Sequence, residues 1–277
     1  MAPQQTIGKE ITYQGIGLHS GEPVTMTFKP APEHTGIIFI RTDLDGHPSV
    51  KADIDHVTNT MRATTLEDGL AKVFTVEHVM AAFSGLHIDN CYVEMDSPEP
   101  PVGDGSSAVF VDLIEQAGIV KQDAERQVYT IQEAHTVYDG DRFIVIVPYD
   151  GYRMTFTSIN SHPLLGTQQC DYEIRPDVFK EHICRARTIG FLKELEQLRA
   201  MGLAKGGSVE NAVVYDDTKC LSKVRYEDEL VRHKVLDIMG DLYLLGPIKG
   251  HVIALKSSHE LNARLSRSIM KEIREAH

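Results

Sequence analysis

The stretch Arg232-His-Lys-Val-Leu-Asp-Ile-Met-Gly-Asp-Leu-Tyr-Leu-Leu-Gly246 decides how the rest of the sequence is read. His233, Asp237 and Asp241 recur every four residues, so a helix carries them on one face, each about 6 Å along the axis from the last. Val231, Val235, Leu236, Ile238, Met239, Leu242, Leu244 and Leu245 make the rest of that surface apolar nearly all round. The pattern predicts a buried helix over 228–245. Carboxylates buried in such a helix are costly unless they are paired or bound to a metal ion. A His and an Asp at i, i+4 can share one ion. Taken alone, the pattern fits equally an ordinary His233–Asp237 contact with Lys234 answering Asp241. A third ligand would favour the metal.

Working outward, residues 75–84 carry Val76, Val79, Met80 and Phe83 at helical spacing, with Thr75 placed to cap the start and Gly85 to stop the helix. This helix presents Glu77 beside His78. Neighbouring helical side chains point about 100° apart, so His78 can ligate an ion while Glu77 reaches the attacking water from the side. Two histidines and a carboxylate with an open fourth position form a catalytic rather than a structural zinc site. Glu77 also suits a plain first-turn acid beside a surface histidine. His259 opens the terminal helix expected over 259–276. It is a candidate proton donor for a leaving group and for an oxyanion, with Asp241 holding it protonated, and it serves equally as a helix-start histidine.

The order of elements repeats. Residues 6–28 read as a strand, a glycine-rich loop and the alternating strand Pro23-Val-Thr-Met-Thr-Phe28, with more strand near 36–41, the helix over 75–84, a strand over 90–95 and a helix over 107–117. The charged stretch 120–126 reads as a linker. Beyond it, 130–137 and 142–148 flank the hairpin signal Asp139-Gly140, 153–158 alternates, and the buried helix leads to a strand over 250–256 and the terminal helix. Each half thus runs from strands to helix, strand and closing helix, a weak internal duplication that divides the chain into domains 1–125 and 126–277. The second half holds an extra segment, 185–217, with a Leu-rich helix, a Gly206-Gly207-Ser208 turn and a strand through Tyr215. Its apolar content suits packing or a greasy substrate tail.

Among the 277 residues, 28 Lys+Arg face 40 Asp+Glu, a net charge of −12 that disfavours a nucleic-acid binder. A phosphate-bearing partner must then be met by a few local cations. Cys91, Cys170, Cys184 and Cys220 form no CxxC pair and are expected as buried free thiols of a reducing compartment. No apolar run approaches the ~18 residues of a membrane span, and the first nine residues lack an apolar signal core, so a cytoplasmic protein without an integral membrane segment is expected.

Six motifs in register over nearly the whole chain resemble the UDP-3-O-acyl-N-acetylglucosamine deacetylase family, whose members remove an acetyl group in lipid A synthesis. They are Gly15-x-Gly-Leu-His-Ser-Gly21, Thr75-Val-Glu-His78, Arg187-Thr188, Gly206-Gly-Ser208, His233-Lys-x-x-Asp237 with Gly240-Asp241-Leu242, and Lys256-Ser-x-His259. The resemblance implies an α+β fold of two β/α sandwich domains of similar topology, each with an insertion, and an active site at their interface. It implies His78, His233 and Asp237 as zinc ligands, with iron(II) as an alternative ion. It further implies Glu77 as general base, His259 oriented by Asp241 as cationic general acid, Thr188 as oxyanion donor and Lys234 beside the substrate. The insertion 185–217 becomes the passage for the acyl chain, with Phe191 on its wall and Ile189, Gly207 and Ser208 along it.

Three features depart from the family pattern. Ile189 stands where many members have an aromatic residue, Ala63 where some carry a cysteine, and the chain ends soon after His259. The expected partner is the UDP-linked acylated glucosamine, bound by a monomer, its diphosphate met by Lys234, Arg187 and His259 with His19 or Lys256. Two rivals remain at this point. A metal peptidase lacks its usual HExxH pattern here, and a binding module without turnover would have no use for Glu77 and His259.

Overall fold

Alternation sets the strands. In Pro23-Val-Thr-Met-Thr-Phe28 the side chains of Val24, Met26 and Phe28 are buried while the threonines between them face outward. The computed structural model describes residues 2–275 as a mixed α+β protein. Its first half forms β1 (Pro3–Ile7), β2 (Ile11–Ile16), β3 (Pro23–Pro30), β4 (Ile37–Arg41), β5 (Ser49–Lys51), β6 (Val57–Asn59), β7 (Thr65–Asp68), β8 (Ala71–Phe74), α1 (Glu77–Leu86), β9 (Cys91–Met95), α2 (Ala108–Ala117) and β10 (Ile119–Glu125). The second forms β11 (Tyr129–Thr130), β12 (His135–Asp139), β13 (Arg142–Val147), β14 (Tyr152–Ile159), β15 (Thr167–Glu173), the short α3 (Pro176–Val178), β16 (Ile189–Phe191), α4 (Leu192–Ala200), β17 (Val213–Tyr215), α5 (Glu229–Leu242), β18 (Ile248–Leu255) and α6 (His259–Glu275).

One sheet runs β2-β3-β9-β4-β5, and a second follows the path β12-β13-β18-β14-β15 with β11 added beside β18. The strand order is the same in both. So are the pairings along the path: antiparallel, antiparallel, parallel, antiparallel. In each sheet the central strand, β9 or β18, enters from the helix that bears the polar motif and leaves into the closing helix. Helices α1 and α5 pack on each other, closely enough at Gly240 that a Cβ there would lie 2.0 Å from the Glu77 carbonyl oxygen. One contiguous core runs through both halves, from Phe28, Phe39, Phe83 and Phe110 to Phe156 and Phe179. Burying each such ring is worth about 1.5–3 kcal/mol.

Several boundaries differ from the sequence reading. The stretch 120–126 is no linker: β10 pairs antiparallel with β1, which ties the two ends of the first half of the chain together. Its side chains are largely exposed, so no apolar alternation marked it as strand. Helix α1 begins at Glu77 after Val76 rather than being capped by Thr75, and it ends past Gly85 at His87, whose φ of 60 closes it in the left-handed region. Gly85 instead leaves room for Phe179, whose ring would lie 2.1 Å from a Cβ there. The stretch 130–137 splits into β11 and β12, and strands β5 to β8 and β15 add to those read from sequence. Position 276, the expected end of the last helix, lies outside the described residues. Cys91, Cys170, Cys184 and Cys220 are free, the last only half-buried. Among the described residues no helix is long and apolar enough to cross a membrane.

Candidate active site

The α1–α5 crossing brings together the two polar faces read from sequence. The Nε2 atoms of His78 and His233 lie 3.5 and 3.3 Å from the same oxygen, Asp237 Oδ1. That oxygen is buried and has no hydrogen-bond partner. The ring of His233 is fixed by its Nδ1, 2.9 Å from the Ala186 carbonyl, which can only accept, so Nε2 is left as a bare lone pair. Donors at about 2.1 Å from one ion at tetrahedral angles would stand roughly 3.4 Å apart, which is the spacing of each imidazole nitrogen from the Asp237 oxygen, and all three ligand atoms lie within 4.8 Å of one another. The residues therefore fit a metal ion.

The electrostatics agree with that fit. Burial lowers His233 to about 4, so the imidazole is neutral, the form that ligates. Against the burial that would raise it, His233, Lys234 and His78 hold the Asp237 carboxyl well below the usual range. Burial would also lower His78, but the nearby carboxylates of Asp237 and Glu77 keep it above its ordinary value. Lys234 Nζ neutralises the other Asp237 oxygen at 3.0 Å. It does not answer Asp241.

A second group of side chains sits beside the first. Glu77 is buried, and burial, reinforced by the charges of Asp241 and Asp237, raises its pKa, as suits a base. Its Oε1 lies 3.7 Å from His259 Nε2, and its Oε2 accepts the Thr64 N–H at 3.1 Å. His259 donates from Nδ1 to Asp241 Oδ2 at 2.7 Å. Burial works against its charge, yet Asp241 and Glu77 hold the imidazolium up to about 10. Asp241 also accepts from Thr64 Oγ1 at 2.6 Å and from Asn262 Nδ2 at 2.8 Å.

Glu77, His78, His233, Lys234, Asp237 and His259 line one cavity of about 630 Å³ that reaches into the insertion, while Asp241, Thr64 and Asn262 lie behind them. Its lining includes His19, Thr188, Ile189, Phe191, Gly207 and Ser208. Thr188 is placed by two backbone bonds, its N–H to the Gly105 carbonyl and its own carbonyl to Val213 N–H, both 2.8 Å. Beyond the polar end the wall is apolar, supplied by α4, β16 and β17.

The cationic cluster expected around a diphosphate is assembled differently. Arg187 is buried in an ion pair with Glu229 at 2.8 Å and does not line the cavity. Lys256 pairs with Asp141 instead and also stays off the lining. His19 lines the cavity but is neutral, since burial lowers its pKa and its Nδ1 accepts the Ala204 N–H. The cations that do line it are Arg62, Arg142, Lys234 and His259. Sequence reading also missed Thr64, Asn262 and Glu99. Glu99, fully buried, gathers Thr75 Oγ1 and the N–H groups of His19 and Ser20 and so fixes the loop over the cavity. Thr75 itself holds φ at 59, a costly setting for a β-branched residue.

A family model described as UDP-3-O-acyl N-acetylglycosamine deacetylase matches residues 4–271. Proteins named UDP-3-O-acyl-N-acetylglucosamine deacetylase are similar over nearly the full length. That of Hahella chejuensis is 45% identical over 98% of this chain and 92% of its own. That of Acidithiobacillus ferrooxidans is 44% identical over 98% and 90%, and that of Myxococcus xanthus 44% over 97% and 87%.

Proposed function

Because the chain belongs to the UDP-3-O-acyl N-acetylglycosamine deacetylase family, we propose that it is a zinc-dependent amidase of the lipid A pathway. Its substrate is a UDP-linked 3-O-acyl-N-acetylglucosamine, from which it releases acetate. The observation that carries the zinc reading is the orphaned Asp237 Oδ1 between two imidazole nitrogens on the wall of a cavity that also holds Glu77 and His259. His78, His233 and Asp237 would hold the ion, with iron(II) as the alternative. When bound, it supplies Lewis-acid polarisation of a carbonyl and brings the pKa of water toward about 7.

The chain's own residues do the rest. Glu77, with its raised pKa, takes the proton of the attacking water. Thr188 donates to the developing oxyanion, where a preorganised donor acts most strongly. His259, cationic and turned by Asp241, gives its proton to the departing amine. Lys234 and His259 meet the charged part of the substrate, and Arg142 and Arg62, on the same lining, replace Arg187 and Lys256 in that task. Ile189, Phe191, Gly207 and Ser208 border the acyl tail, with His19 at the entrance. The repeated strand order supports two domains, 1–125 and 126–277, with the site between them; we propose with it a cytoplasmic monomer.

Acetate release from the acylated nucleotide sugar, measured with and without a chelator, tests the reading. Chelation should abolish turnover. Glu77→Ala should keep its metal and lose most activity, whereas His78→Ala should lose both. Equal activity in the two variants would sink the assignment.

A further inference from the structure

Thr64 belongs to none of the sequence motifs, yet it is hydrogen-bonded both to Glu77 and to Asp241, the carboxylate that holds His259. It is buried just before β7, in the first half of the chain. Its N–H holds Glu77 Oε2 at 3.1 Å, and its hydroxyl donates to Asp241 Oδ1 at 2.6 Å, across to the second half. Its carbonyl accepts the N–H of Val76, the residue before α1. These bonds leave it no freedom to turn.

The division of labour on Asp241 is informative. His259 and Asn262 share Oδ2, while Thr64 Oγ1 serves Oδ1. A carboxylate held by one oxygen can rotate about its Cβ–Cγ bond, and His259 would rotate with it. The hydroxyl on the opposite oxygen stops that rotation. It therefore fixes the distance between His259 Nε2 and Glu77 Oε1, now 3.7 Å, while the backbone of the same residue fixes Glu77.

We propose that Thr64 is a positioning residue for proton transfer, setting the general acid and the general base in register through one residue hydrogen-bonded to the base and to the carboxylate that holds the acid. This rests on the deacetylase reading above. Thr64 touches no reacting atom, so its effect must pass through Asp241 and His259. Removing the hydroxyl should slow turnover and leave substrate binding alone.

The test is steady-state acetate release from the acylated nucleotide sugar by the metal-loaded full chain. Thr64→Val should lower kcat about 10- to 100-fold, the range for losing a hydrogen bond to a charged group, with KM within about twofold. Thr64→Ser, which restores the donor, should recover most of kcat. In a His259→Gln background Thr64→Val should add little, because the two changes act on one path. The proposal is overturned if Thr64→Val keeps kcat within about twofold of the parent. It is overturned equally if Thr64→Ser falls as far as the valine variant, or if the two losses multiply in the double variant. Thr64→Ala takes the same readout if the valine variant does not fold. A parent protein without acetate release would instead refute the deacetylase reading, a result distinct from all of these.

Discussion

The helix crossing and the insertion handle the two ends of one cavity in opposite ways. In α1 every residue is buried, and so is every residue of α5 from Val235 on. In α4 none is, although Leu192, Leu195 and Leu198 all line the cavity. Groups that must keep a fixed distance stand on elements locked from all sides. Groups that only need to be apolar stand on a helix with little beneath it, beside a small satellite core of Leu165, Val213, Tyr215 and Leu230. Chemistry should therefore be brittle and tail recognition tolerant.

The contrast can be broken at either end. The largest effect should come from His78→Ala, which removes one of the three converging donors: bound metal, read by elemental analysis, and acetate release should both fall to background. Retention of stoichiometric metal would show that the crossing is not the metal site. Next, Arg187→Ala leaves Glu229 as a buried charge without its ion-pair partner, and unfolding in urea should show a loss of about 3–5 kcal/mol. A change under about 1 kcal/mol would mean that the junction between insertion and crossing is as loose as the insertion itself.

A smaller effect depends on pH. The His259 value of about 10 lies above its ordinary 6.5, so its contribution to the stability of metal-free protein is complete below 6.5 and is lost as pH rises through 10. The stability gap between the parent and His259→Gln, read from melting curves, should be widest near about pH 6 and close toward about pH 10–11. A gap that grows with pH would reverse the assignment of charge at the crossing. The smallest effect belongs to the insertion. Leu195→Ala should raise KM for a long-chain substrate up to about tenfold, because less apolar surface packs against the tail, with kcat and melting temperature nearly unchanged. A fall in kcat instead would show that α4 also positions the reacting end.

How much of this is legible in the sequence follows the same contrast. His233, Asp237 and Asp241 declare themselves through helical spacing in an apolar helix, and Glu77-His78 through its place on the equivalent helix. Periodicity survives in a sequence because it is local. Thr64, Asn262 and Glu99 carry no period, and their roles come from partners such as Asp241 and His19, far away in the chain. The cations mislead for the same reason. Arg187 and Lys256 stand next to motif residues in sequence, but Glu229 and Asp141 claim them in space. The strand β10 reads as a linker because an exposed two-stranded ribbon needs no apolar face.

The close approach at Gly240 bears on the order of folding. His78 and His233 lie more than half the chain apart, and they meet only where α1 and α5 pack so closely that position 240 has no room for a side chain. Neither half can assemble the ligand set alone, so metal capture should follow the docking of the halves and hold them docked afterwards. A larger side chain at position 240 would then act as a wedge, and slow metal uptake would be its earliest sign.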